Sequence, residues 1–62
     1  MNTATLDDIR ANIRTAYDLV ATDERAAVQY ARAAHSLINE ASHDPEIGEE
    51  AAGLAAMIVD FL

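Results

Sequence analysis

The chain has 62 residues, no cysteine, one proline and two glycines, and eleven acids against four arginines give it a formal charge of −7. That length holds one domain, buries only about 60% of the unfolded surface, and without cysteine rules out a disulfide or a thiolate-held metal. With lysine absent and aromatics at 5%, direct binding to nucleic acid, which needs clustered cations beside stacking rings, is not expected.

The first helix is expected over residues 6–21. Thr5-Leu-Asp-Asp8 has the form of a capping box with Asp in its fourth place. Asp7 and Asp8 sit where a helix dipole favours negative charge. Leu6, Ile9, Ile13, Ala16, Tyr17 and Val20 then recur at three and four residues and draw one apolar stripe.

Thr22 and Asp23 are both good caps, so a tight corner leads into a second helix over 23–42. Its stripe is Ala27, Tyr30, Ala31, Ala34, Leu37, Ile38 and Ala41. Alanine on that stripe lets helix axes approach toward about 8 Å. Ser42 to Glu46 forms the next corner, with Asp44 as a cap and Pro45 at a first helical position.

The third helix is expected over 45–61, with Ile47, Ala51, Leu54, Ile58, Phe61 and Leu62 in its stripe. Ala52, Ala55, Met57 and Val59 widen the apolar arc to roughly 220° at 100° per residue. That is too wide for a helix packed on one side only. No alternating strand pattern occurs. The fold expected is all-α over residues 1–62: a small three-helix bundle, or a helical hairpin plus a third helix, dimerising through helix three.

Chemistry is sparse. Glu40-Ala-Ser-His43 has the Glu-x-x-His spacing of di-iron bundles, but Glu40 lies off the stripe and His43 at a helix end, so no metal is expected. His35 lies at a stripe edge with no Ser, Cys or Asp placed to use it. Gly48 and Gly53 are isolated and form no phosphate-binding loop. Neither a catalytic residue nor a cofactor is expected, and the chain is read as a non-enzyme.

Met1–Thr5 lacks the basic and apolar regions of a secretory leader. The apolar run Ala51–Val59, broken by Gly53, falls far short of the ~20 residues that span a bilayer. The cytoplasm is the expected setting, without membrane contact. The acidity itself fits codon bias in a GC-rich genome better than adaptation to molar salt, given the many alanines.

Two surfaces remain for a partner. The broad arc of helix three, at Ala52, Ala55, Val59 and Leu62, reads as a protein or dimer interface. Glu46, Glu49 and Glu50 form an acidic surface near its start. The function expected is a small acidic protein-interaction module: an adaptor, an antitoxin-like inhibitor or a regulatory subunit. The alternative is an acidic mimic of nucleic acid that inhibits a basic nucleic-acid-binding protein, such as a phage anti-defence protein. A homodimer is expected because short alanine-rich helices bury few large side chains, at about 1.5–3 kcal/mol each, against roughly 1–2 kcal/mol of backbone entropy per ordered residue.

Overall fold

The computed structural model describes residues 3–62; Met1 and Asn2, part of the segment read for a leader, lie outside them. The described chain is all-α. Helix α1 spans Thr3–Leu19, α2 spans Glu24–Ala41 and α3 spans Gly48–Ala55, followed by a 3₁₀ turn at Val59–Phe61. α1 and α2 form a hairpin, and the shorter α3 packs against both. The radius of gyration of 11.2 Å slightly exceeds the roughly 10.6 Å of a compact chain this long. The hairpin accordingly stretches the molecule to 36 × 18 × 13 Å.

α1 begins earlier than its local signal. Thr5 lies inside the helix, so Thr5 and Asp8 do not form the expected cap, which needs a non-helical residue at its first position. At the first corner α1 ends at Leu19, two residues short of the expected 21, and Asp23 caps α2 as expected. Asp23 Oδ1 accepts from the Ala26 N–H at 3.0 Å, and its own carbonyl accepts from Ala27 at 3.0 Å. Thr22 instead turns its hydroxyl toward the Leu19 carbonyl at 3.4 Å.

The core joins Leu6, Ile9, Ile13 and Ala16 of α1 to Ala31, Ala34, Ile38 and Ala41 of α2, closed by Ile47, Ala51 and Ile58. Six of the twelve buried apolar residues are alanine, so the hairpin is held by close approach as much as by large side chains. Tyr17, Val20 and Tyr30, expected in the stripes, are exposed instead.

The third helix differs most from expectation. Pro45–Ile47 is a turn, not helix. Asp44 Oδ1 accepts from the Glu46 N–H at 2.7 Å and its carbonyl from Gly48 at 2.8 Å. α3 starts only at Gly48, whose buried backbone presses on the end of α2. The helix then stops at Ala55 rather than running to residue 61. The Tyr17 hydroxyl donates to the Met57 carbonyl, which in a continued α-helix would accept from Phe61. The Phe61 N–H donates to Ile58 at 3.0 Å. This tightening still delivers Ile58 to the core, fully buried.

Candidate interaction surface

A stripe along a helix is buried only as far as its neighbours reach. α3 has eight residues against seventeen in α1, so the C-terminal end of the α1 stripe, Tyr17 and Val20, meets the terminal segment rather than a long third helix. Tyr17 is held there from two sides. Its hydroxyl donates to Met57, and its ring meets Phe61 edge-on at 5.4 Å and 76°. The rest of the ring stays in solvent.

Tyr17 therefore stands as a ridge between two concavities. The first, about 390 Å³, has Ile13, Leu54 and Met57 as its apolar floor, with Arg10, Arg14 and Asp18 along its edges. The second, about 270 Å³, has Val20, Val28 and Phe61 as its floor, with Glu24 and Asp60 at its edges. Exposure decides that this is open apolar surface: Tyr17 is 48% exposed, Val20 44% and Met57 46%; Val59 at 63% and Leu62 at 58% are further exposed apolar residues at the end of the chain. Scattered apolar residues need no explanation, but several around one ridge mark a contact surface.

The residues singled out in the sequence fall unevenly on this surface. Val59 and Leu62 are exposed, but neither lines the two concavities beside Tyr17. Ala52 is exposed on α3, whereas Ala55 is half-buried against the core. Tyr17 and Val20 escaped sequence reasoning because periodicity assigned them inward. The signal that would have placed them is the length of the element facing them.

Glu46, Glu49 and Glu50 are all exposed. Glu50 is engaged: Arg10 reaches it at 3.7 Å and Asp7 at 3.9 Å, a bridge from α1 to α3. Arg14 makes no ion pair among the described residues. Glu40, His43 and His35 are exposed. Among the described residues no group of three or more Asp, Glu or His is placed to hold a metal. No described helix is long and apolar enough to cross a membrane.

No protein-family model, curated protein or solved structure matches the chain.

Proposed function

We propose that the chain is a protein-interaction module of the cytoplasm, an adaptor, antitoxin-like inhibitor or regulatory subunit that forms homodimers and has no catalysis of its own. The observation that carries this reading is the apolar surface around Tyr17, with Met57, Val59 and Leu62 open to solvent on a chain that can spare little apolar area from its core.

The test is capture of a stoichiometric partner, or of the chain itself, from the source cell, with Met57→Glu and Val59→Glu compared against Gln29→Glu. Loss on the first two variants and retention on the third supports the reading. Equal capture by all three, or turnover of a substrate by the pure protein, defeats it.

A second reading has its own observation: Glu46 and Glu49 are exposed and make no ion pair among the described residues, as a mimic of nucleic-acid phosphates requires. Mimicry is distinguished by salt. A complex made through these carboxylates weakens steeply between 0.05 and about 0.5 M salt as screening shortens to a few ångströms. It also responds to Glu46→Gln and Glu49→Gln rather than to Met57→Glu.

A further inference from the structure

The two concavities are alike in their apolar floors and differ in their edges. Arg10, held by Asp7 and Glu50, borders the first together with Arg14 and Asp18, so that Arg14 is its one cation without an ion pair among the described residues, whereas Glu24 and Asp60 border the second with no cation. Tyr17 belongs to both and separates them. Along α1, Arg14 stands three residues before Tyr17, about 4.5 Å at 1.5 Å per residue. Val20, in the corner just past α1, stands three residues beyond it, with Glu24 opening α2. A surface whose two ends differ in sign about a central ridge is complementary to its own copy turned by a two-fold axis.

We infer that this strip is a two-fold self-docking face: a second copy of the chain lies antiparallel across Tyr17, so that Arg14 of each copy meets Glu24 and Asp60 of the other. The inference rests on the reading of the chain as an interaction module and names its first partner and its contact. Of the four arginines, Arg14 is the one on this strip that makes no ion pair among the described residues; Arg25 and Arg32 border a polar concavity on the other side of Glu24. The apolar floors of the two copies then face one another, with Arg14 kept from Arg14 and Glu24 from Glu24. In any parallel pairing Arg14 faces Arg14 and Glu24 faces Glu24, which costs several kcal/mol in an interface.

Size sets the expected strength. A standard interface removes about 800 Å² per partner, close to a fifth of the 4238 Å² surface of this chain. From Arg10 to Val20 the strip is about 15 Å long, which offers less than that. The dimer therefore belongs to the small, reversible class.

Charge reversal gives a test that a merely structural role does not pass. Arg14→Glu alone places acid against acid at both ends of the pair, and Glu24→Arg alone places cation against cation. Each single variant is expected to raise the dimer dissociation constant by at least about tenfold. Mixed in equal amounts, the two variants restore complementary edges at both ends, so a heterodimer forms although neither self-associates. Sedimentation equilibrium from 5 µM to 1 mM reads the mass against the 6.7 kDa of the monomer, with helicity by circular dichroism as the folding control. A parent chain at monomer mass throughout overturns the inference. So does a dimer untouched by both single variants, or a mixture that stays monomeric. If the chain is monomeric yet its captured partner is still lost on Met57→Glu, the interaction-module reading stands and this inference alone fails. If Met57→Glu also leaves capture unchanged, both fail.

Discussion

Two glycines in one short helix make opposite demands, and replacing each by alanine separates packing from propensity. At Gly53 a Cβ meets nothing within 4 Å, whereas at Gly48 it would lie 2.9 Å from the Ser42 carbonyl oxygen and 3.3 Å from that of Ala41. Gly53→Ala therefore removes only the conformational freedom of glycine and is expected to stabilise the fold by roughly 0.5–1 kcal/mol. In a domain of this size that raises Tm by about 2–8 °C. Gly48→Ala gains less from propensity, because the residue opens the helix, and the clash is with backbone that cannot rotate aside. Ordinary contact begins near 3.4 Å, so the end of α2 and the start of α3 must part by about half an ångström. Forced expansion of this kind costs about 1–3 kcal/mol, a large share of the 3–5 kcal/mol that a core this small supplies. Urea titrations at one fixed low-micromolar concentration, where self-association does not shift the midpoint, should move the two midpoints in opposite directions at similar slope. Equal shifts, or a stabilised Gly48→Ala, would refute the close approach of α3 to α2.

Three further outcomes test single features. Ile58→Val should cost about 0.5–1.5 kcal/mol by urea titration, while Val59→Ala, one residue on but 63% exposed, should stay within about 0.5 kcal/mol. Asp23→Ala should cost about 1 kcal/mol through loss of its bond to Ala26; Thr22→Ala, whose hydroxyl meets the Leu19 carbonyl instead of capping α2, should cost less. Tyr17→Phe should cost about 0.5–1.5 kcal/mol, and hydrogen exchange at residues 57–62 should accelerate while the α1–α2 amides keep their protection.

The hairpin is legible in the sequence because two stripes at helical spacing and one strong cap, Asp23, are local signals. All-α architecture follows from the same periodicity. The bounds of the third helix are not local. Asp44 and Pro45 would serve equally to start a helix or to cap a turn, and the helix opens instead at Gly48, where a Cβ would crowd the Ala41 and Ser42 carbonyls. The far end is set by a hydroxyl forty residues away, since Tyr17 occupies the carbonyl of Met57. The broad apolar arc did register that helix three has too much apolar surface for one packed side. The exposure of Val59 was legible on that ground, whereas that of Tyr17 and Val20 was hidden by a stripe longer than the helix that covers it.

The proposed contact surface and the segment after α3 share residues. After Ala55 the chain is held by single i→i+3 bonds of 3.0–3.2 Å, by the burial of Ile58 and by Tyr17, whose ring and hydroxyl reach Phe61 and Met57. Short turns of this kind open more easily than the hairpin core. A ligand that binds only the closed arrangement stabilises it by RT ln(1 + [L]/Kd), about 2.7 kcal/mol at a hundredfold excess over Kd. On the two-fold arrangement proposed above, that stabilisation falls first on residues 56–62, because Met57 and Phe61 line the floors that the second copy fills. The α1–α2 hairpin, already closed by its own core, gains protection only up to the global unfolding limit. On that arrangement the second copy acts as a clasp on the segment after α3, covering the end of the α1 stripe that the eight-residue helix does not reach.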